Sequence, residues 1–297
     1  MESRALRHFL AVVDHRSVTA AAEALHISQP ALTKSIRNLE DNLGVELFER
    51  LPNGVVTTRF GQALAKRARL MSLEYQHAIA DIAAMKGGHS GTINIGAGPV
   101  WLMHYLPPAI AAFHAQQPNM QINVRGGVLD TMLPELLGGE TDMLCGSLDF
   151  PAHPEVVKEH LFDVEHVMVA RHDHPLAGLE EARPEDLLEY PWAMLAGDHI
   201  GRSHIGSFFS ANGLRPANAR LQASSILCIL QTVKGSDFLA NVPKPMLAYA
   251  DMMGIVPLAV RGTFWHYEAG VAYRKSTNPF PAVNTMTGII RSLYSQP

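Results

Sequence analysis

The sequence predicts an α/β protein with three parts: a small helical domain at the N terminus, one long helix, and a larger α/β domain. Three observations predict this order. Short helical patterns separated by capping residues fill residues 1–59, a proline-free heptad pattern fills residues 60–86, and extended and helical patterns alternate through residues 92–297. Alternation of strands and helices is typical of a sheet with parallel strands.

Composition indicates a globular chain and excludes several other classes. The chain has 297 residues, 47% of them apolar and 18% charged, which suits two or three domains with buried cores. Cys145 and Cys228 are far apart in apolar stretches, which predicts two buried thiols, with a redox switch as the alternative. The N terminus lacks a signal-peptide layout and no apolar run approaches the roughly 18 residues of a membrane span, so we expect a soluble, cytoplasmic protein without a membrane partner.

Charge is distributed unevenly along the chain. Residues 1–91 carry a formal balance of +2 and the remainder carries −6, which gives the total of −4. A net acidic chain is not expected to coat a polyanion non-specifically, but it is compatible with a small basic patch. The 15 histidines are scattered and form no HExxH pattern, so we expect no metal site and no cofactor.

The first 25 residues predict two short helices. Ser17 is a candidate N-cap for the second helix, which is rich in alanine and therefore allows another helix to approach closely. The first helix spans residues 4–14, and its apolar face comprises Leu6, Phe9, Leu10 and Val13.

A third helix is predicted from Ser28 to Leu43. Ser28 is a candidate N-cap, and Pro30 falls in the first turn, where its missing N–H would have had no intrahelical partner. Gly44 suits the C-terminal cap. The predicted buried stripe comprises Leu32, Ile36, Leu39 and Leu43.

The other face of the third helix is polar and basic. Thr33, Lys34 and Arg37 share it with Pro30, and Gln29 lies alongside. Lys and Arg pair with phosphates or guanine edges, Gln bonds adenine, and Thr offers a methyl group to thymine or a hydroxyl to phosphate. Two short helices joined by a tight turn, with this face on the second, predict a DNA-reading helix-turn-helix. A solvated helix face is the alternative interpretation.

Residues 45–61, VELFERLPNGVVTTRFG, predict a wing beside the helix pair. A Pro-Asn-Gly turn separates two short extended runs, as in a hairpin. Arg50 and Arg59 are placed there to reach phosphates.

Residues 60–86 predict a long helix that joins two copies of the chain. A helix packed on its own domain is the alternative, but a coiled coil would present two recognition helices to two DNA half-sites. GGHSG, residues 87–91, predicts a hinge. The heptad positions follow alternating spacings of four and three and are Leu64, Ala68, Met71, Tyr75, Ala78, Ile82 and Met85.

From residue 92 the patterns predict two α/β lobes that face each other across a cleft. The first lobe takes approximately residues 92–163 and 268–297, and the second takes 164–267. In parallel sheets ligands bind beyond the carboxyl ends of the strands, here near residues 96–101, 125–130 and 146–149. In the second lobe, Arg202 and Ser203 stand at the expected start of a helix, where an anion would be favoured.

The stretch FLAVVDHRSVTAAAEALHISQPALTKSIRNLEDNLGVELFER resembles the winged helix-turn-helix of the LysR-type transcriptional regulators, and YLPPAIAAFHAQQPNMQINVRGG and HPLAG resemble their effector domain. The resemblance implies a sequence-specific regulator of promoter DNA. It implies an α/β fold with a periplasmic-binding-protein-like effector domain, whose two lobes are joined by two crossing strands. It also implies a homodimer formed through the linker helix, assembling into a homotetramer. The DNA-reading residues it implies are Ser28, Gln29, Pro30, Thr33, Lys34, Arg37 and Arg50. The effector-binding residues it implies are Gly98, Pro99, Val100, Trp101, Gly127, Ser147, Asp198, Arg202 and Ser203. Arg125, near the end of a predicted strand, is a further candidate.

The effector is expected to be small and partly apolar. The family often has Ser or Thr where this chain has Pro99 or Val100, and Trp101 adds an aromatic wall, so we hypothesise an aromatic or branched organic acid held by Arg202 or Arg125. Surface salt bridging is the alternative role of both arginines. Two other functions stay open: an enzyme with an appended DNA-binding domain, although no GxSxG, HExxH or P-loop motif is present, and a DNA-architectural protein without a ligand.

Overall fold

The computed structural model describes residues 4–52, 54–85, 91–262, 265–275 and 280–294, without the side chains of Arg50 and of several residues late in the long helix. The chain divides into two compact units. One comprises Met1–Gly91 and Gly138–Glu140, and the other comprises Thr92–Leu137 and Thr141–Pro297. Among the described residues, no helix combines the length and the hydrophobicity that a membrane crossing requires.

The N-terminal unit is a winged helix-turn-helix followed by a long helix. Its elements are α1 (Arg4–His15), α2 (Val18–Ala24), α3 (Gln29–Leu43), β1 (Phe48–Leu51), β2 (Gly54–Thr57) and α4 (Arg59–Met85).

Capping residues set the ends of the short helices. The Ser17 hydroxyl accepts a hydrogen bond from Ala20 N at 3.3 Å, as a side-chain cap of α2 requires. Ser28 occupies the N-cap position of α3 as predicted, although its side chain makes no capping hydrogen bond. Gly44 ends α3 with a φ of 69°, a left-handed conformation that glycine adopts without steric cost.

The core of this unit lies where α1, α2, α3 and the start of α4 meet. Leu32 and Ile36 are buried as predicted, and Leu39 is partly buried, but Leu43 is 48% exposed because it lies in the last turn of α3, beyond the packed part of the helix. The buried residues of the cluster are Phe9, Val12, Ala21, Ala22, Leu32, Ile36, Leu47, Ala65 and Ala68.

The wing is an antiparallel hairpin of β1 and β2, in which Arg50 pairs with Val55. The Glu40 carboxylate accepts from Leu47 N at 2.8 Å and so ties α3 to the start of the wing. Val55 N donates to Arg16 O at 3.0 Å on the other side. Asn53, in the predicted Pro-Asn-Gly turn, lies outside the described residues.

Helix α4 begins at Arg59, and the Thr58 hydroxyl accepts from Gly61 N at 3.1 Å at its start. The heptad positions fall into two groups. Leu64 and Ala68 pack into the core of the N-terminal unit, whereas Met71, Tyr75 and Ile82 are 62%, 39% and 50% exposed. In the predicted hinge, residues 87–90 lie outside the described residues, and Gly91 begins the next strand.

The C-terminal unit alternates strands and helices. A π-helical turn, Trp101–Tyr105, precedes α5. The elements are β3 (Gly91–Ala97), α5 (Leu106–Gln116), β4 (Met120–Gly126), α6 (Leu129–Gly138), β5 (Met143–Ser147), β6 (Val156–Arg171), β7 (Trp192–Leu195), α7 (His199–Ala211), β8 (Ala219–Ala223), α8 (Ile226–Lys234), β9 (Leu239–Pro243), α9 (Leu247–Asp251), β10 (Ile255–Pro257), β11 (Trp265–Arg274) and α10 (Pro281–Tyr294).

Two long antiparallel strands join the lobes. In the described part of the unit the strand order is β4-β3-β5-β11-β6-β9-β7-β8, and β10 pairs with β6. β3 and β5 are parallel in the first lobe, and β7 is parallel to both β8 and β9 in the second. Strands β6 and β11 pair with each other over most of their length and run from one lobe into the other, as crossing strands.

Two details of this unit differ from the sequence predictions. Helix α7 begins at His199, three residues before the predicted start at Arg202, because Asp198 caps it through Gly201 N at 2.8 Å. Cys145 is buried as predicted, but Cys228 is exposed, since it lies on the outer face of the amphipathic helix α8.

Candidate functional site

The outer face of α3 presents a continuous polar surface. Thr33 is partly buried, and Ile36 behind it is buried in the core, so the helix is held by one face while the other is free. The predicted DNA-reading residues that are exposed on this helix or at its start are Ser28, Gln29, Pro30, Lys34 and Arg37. The structure thus brings Thr33 and these five residues together on one surface.

The two arginines predicted for the wing occupy different elements. Arg50 is in β1, and its side chain lies outside the described part of the structure. Arg59 is exposed at the first position of α4, and its guanidinium carbon lies 4.6 Å from the centre of the Phe60 ring. Arg59 therefore belongs to the start of the long helix and is not part of the wing.

A cavity of about 130 Å³ lies between the two lobes of the C-terminal unit. It is bounded by the carboxyl ends of β3 and β5 in the first lobe, and by β7, α7 and β9 in the second. The predicted effector-binding residues that line it are Gly98, Pro99, Val100, Trp101, Gly127, Ser147, Asp198 and Arg202.

Arg125 and Ser203 do not line this cavity. Both are exposed, Arg125 near the end of β4 and Ser203 on α7. Because α7 begins at His199, Ser203 lies in its second turn, about 100° around the helix from Arg202. Only one of the two arginines hypothesised to hold an organic acid is therefore at the cavity.

The sequence analysis missed an aromatic stack in the cavity wall. The Trp265 ring lies 4.0 Å from the His166 ring at an interplanar angle of 20°, and 5.2 Å from the His204 ring at 16°. All three residues line the cavity, as do Asn241 and Tyr267. The period-two pattern of WHYEAG could have indicated that Trp265 and Tyr267 share a face, but no local pattern links them to His166 or His204.

Hydrogen bonds connect the lobes around the cavity. Asp130 Oδ2 in the first lobe accepts from His199 N in the second at 3.0 Å. His204 Nε2 lies 2.6 Å from Asp149 Oδ2, and Tyr249 donates to Met103 O at 2.6 Å. The lobes are thus closed on each other.

Burial changes the titration of two cavity residues. Burial lowers the pKa of His166 to about 3, although the hydrogen bond between its Nδ1 and Asn241 Oδ1 acts in the opposite direction. Burial also raises the pKa of Asp198, against the opposing effect of the hydrogen bond from Gly201 N. His166 is therefore neutral at physiological pH, and burial disfavours the ionised form of Asp198.

An exposed polar recognition helix in one unit and a cavity between two lobes in the other define a class of protein: a winged helix-turn-helix DNA-binding protein with a ligand-binding domain. Residues 3–62 match the family model described as "Bacterial regulatory helix-turn-helix protein, lysR family", and residues 86–294 match "LysR substrate binding domain". The chain belongs to the LysR family of transcriptional regulators.

Relatives and solved structures agree with this assignment along the whole chain. The HTH-type transcriptional regulator PcaQ of Agrobacterium fabrum is 28% identical over 97% of this chain and 93% of its own. The RuBisCO operon transcriptional regulator of Allochromatium vinosum is 32% identical over 71% of this chain and 69% of its own. The crystal structure of CbnR, a LysR family regulator, covers 100% of both chains at 20% identity with a TM-score of 0.70.

The family defines what the protein does in general terms. It is a DNA-binding transcriptional regulator with an effector-binding domain, and it is not an enzyme; the enzyme and the architectural alternatives find no support among its relatives. CbnR has also been solved with its target DNA, and that structure covers 98% of this chain at 22% identity with a TM-score of 0.69.

Proposed function

We propose that this regulator acts as a homodimer, assembling further into a homotetramer, which reads promoter DNA through α3 of each subunit and responds to a small effector bound between the lobes. The exposed face of α3 supports the DNA contacts, with Arg50 and Arg59 as phosphate contacts. The cavity supports the effector site, at the residues that line it. The domains are residues 1–59 and 92–297, joined by a linker at 60–86 and a hinge at 87–91.

The observation that carries the dimer proposal is the apolar stripe on α4. Met71, Tyr75, Ala78 and Ile82 lie within about 60° of one another on a helical wheel at 100° per residue. All four are exposed, and together they are too apolar for a helix face meant to remain in water. Pairing of this stripe with that of a second copy would bury it and hold two recognition helices at a fixed spacing.

Substituting acidic residues into the apolar stripe of α4 tests the dimer proposal. We expect Met71→Glu with Ile82→Glu to shift the protein in sedimentation equilibrium to smaller species, because carboxylates buried at a dimer seam are unfavourable. The control is Gln62→Glu, since Gln62 is exposed on α4 and lies about 180° from Met71. An unchanged mass for the double variant would remove α4 from the dimer interface.

Effector binding is proposed to act by shifting the lobes. A ligand that binds one lobe arrangement more tightly than another moves the population toward it, and the same coupling changes the affinity for DNA. We infer that this takes place in the cytoplasm, where bacterial promoter DNA is, and that it requires neither a metal nor a cofactor. Among the described residues, no group of three or more His, Cys, Asp and Glu side chains is placed to hold a metal ion.

A further inference from the structure

We propose that the effector is an uncharged single-ring molecule with a hydrogen-bond acceptor, in place of the organic acid that the sequence suggested. The inference rests on the proposed role of the cavity as the effector site, and it specifies the chemistry of that site.

The volume of the cavity accommodates about one ring. Its volume of about 130 Å³ is close to the roughly 150 Å³ of an engineered protein cavity that binds benzene. Trp265 and the two imidazoles stacked on it make part of the lining aromatic, which suits an aromatic ligand.

The protein's own carboxylates occupy the anion site at the N terminus of α7. A helix N terminus attracts an anion through its unpaired amides and its dipole. Here His199 N donates to Asp130 at 3.0 Å and Gly201 N donates to Asp198 at 2.8 Å. A ligand carboxylate arriving there would meet two negative charges and would find these two amides already bonded.

The strand ends of the first lobe also commit their amides to the protein. Gly98 N donates to Cys145 O at 3.0 Å, and Gly127 N donates to Ala97 O at 3.1 Å. Pro99, between these loops and the π-helical turn, has no N–H to offer.

The charges of the lining do not favour an acid either. Asp149 and Asp198 line the cavity together with one arginine, Arg202, whose guanidinium donates to His199 Nδ1 at 2.8 Å and to Gln222 Oε1 at 3.4 Å. Burial holds the pKa of Asp198 above its usual value, and the Asp130 carboxylate acts in the same direction, whereas Arg202 and His204 act in the opposite one. A further carboxylate would face the same unfavourable environment.

Two unpartnered donors indicate that the ligand accepts hydrogen bonds. Trp101 Nε1 and Asn241 Nδ2 are buried at the cavity and have no hydrogen-bond partner among the described residues. Asn241 Oδ1 pairs with His166 Nδ1, which leaves the amide nitrogen without a partner among the described residues. Buried donors are normally satisfied, so a carbonyl or similar acceptor on the ligand would complete both.

Matched pairs of neutral and anionic rings test the inference. Isothermal titration of the full-length protein would compare benzamide with benzoate and nicotinamide with nicotinate, which differ within each pair in one group, a neutral amide or a carboxylate. We expect each amide to bind at least tenfold more tightly than its carboxylate. We expect Trp101→Phe, which removes the indole N–H, to weaken amide binding several-fold.

Asp198→Asn supplies the internal check. Removing this charge while keeping the shape should raise benzoate affinity several-fold, whereas Asp251→Asn, on the exposed end of α9, should change nothing. Tighter binding of the carboxylates by the wild type would overturn the inference and leave the cavity as the effector site. Absence of binding by all four compounds would overturn the single-ring assignment. The proposed function as a DNA-binding regulator would still be tested separately, by measuring DNA binding.

Discussion

Lys34 and Arg37 are the cations that α3 exposes beside Thr33, on the face opposite the buried Leu32 and Ile36. A lysine or arginine that neutralises a phosphate releases a counterion and makes binding salt-dependent, whereas one that pairs with a base edge makes binding sequence-dependent. We therefore propose that these two residues contribute to both the strength and the selectivity of DNA binding.

We expect Lys34→Ala and Arg37→Ala each to weaken DNA binding while leaving the fold intact, because both side chains are exposed. A lost phosphate contact should reduce the slope of log K against log salt by about 0.9, and a lost guanine contact should cost about 1–3 kcal/mol and relax base preference. Fluorescence anisotropy over a salt series measures both effects. Arg215→Ala, an exposed cation of the C-terminal unit, is the control. Full affinity in both α3 variants would exclude this helix as the reader.

His166 makes the stability of the C-terminal unit depend on pH. Its pKa is about 3 in the folded protein, whereas a histidine in an unfolded chain titrates near 6.5. Below pH 6.5 the unfolded state binds a proton that the folded state does not, so stability is full above that value and falls as pH decreases toward 3. The slope from this residue is at most about 1.4 kcal/mol per pH unit.

We expect His166→Gln to flatten this dependence in urea unfolding between pH 5 and 7.5. The flattening should be partial, because burial also lowers the pKa of His174 in the same unit. His266→Gln, on the exposed face of β11, should keep the wild-type slope. A wild-type slope in the His166 variant would show that its burial does not contribute.

At the scale of elements, the wing depends on a close backbone approach at Gly54. Its φ is 138°, and a Cβ atom there would lie 2.4 Å from the carbonyl oxygen of Arg16. Gly44 at the end of α3 also has a positive φ, of 69°, but no atom lies within 4 Å of its Cβ position. Glycine is therefore required at position 54 by both the available space and the backbone conformation, and at position 44 by the conformation alone.

We expect Gly44→Ala to destabilise the N-terminal unit by about 1 kcal/mol, the cost of a left-handed conformation for alanine. Gly54→Ala should cost clearly more, since the hairpin must move away from Arg16. Gly178→Ala has open space and an ordinary φ, so it should be nearly neutral. Denaturant unfolding of the three variants gives the order of their losses in the free energy of unfolding. Equal losses at Gly44 and Gly54 would contradict the close approach of Gly54 to Arg16.

Local sequence patterns predicted most helices and strands, but not the contacts between residues that are far apart in the sequence. The helix-turn-helix was predictable because Ser17, Pro30 and Gly44 mark helix ends through their own chemistry. The start of α7 was placed three residues late, since glycines on either side of Asp198 obscured its capping role. The stack of Trp265 on His166 and His204 was not predictable, because β6, α7 and β11 bring these residues together only in the folded sheet. Leu43 fits a helical stripe that extends beyond the surface available to bury it, and Cys228 has apolar neighbours in the sequence but lies on the outer face of α8.

At the scale of the whole molecule, the chain combines a unit that reads DNA with a unit that encloses a small cavity, in one member of the LysR family. The recognition surface and the cavity belong to separate compact units. Regulation therefore requires that the effector change the equilibrium between states of the whole assembly, and its effect on DNA affinity cannot exceed its preference for one state over another.

The most direct test of this account is in vitro selection of DNA by the full-length protein, followed by affinity measurement over a salt series. We predict enrichment of an inverted repeat, binding at least about 10³-fold tighter than to random DNA of equal length, and a steep salt dependence. The protein carrying both Lys34→Ala and Arg37→Ala should enrich nothing. Equal affinity for every sequence, or selection that survives the loss of both side chains, would contradict the account.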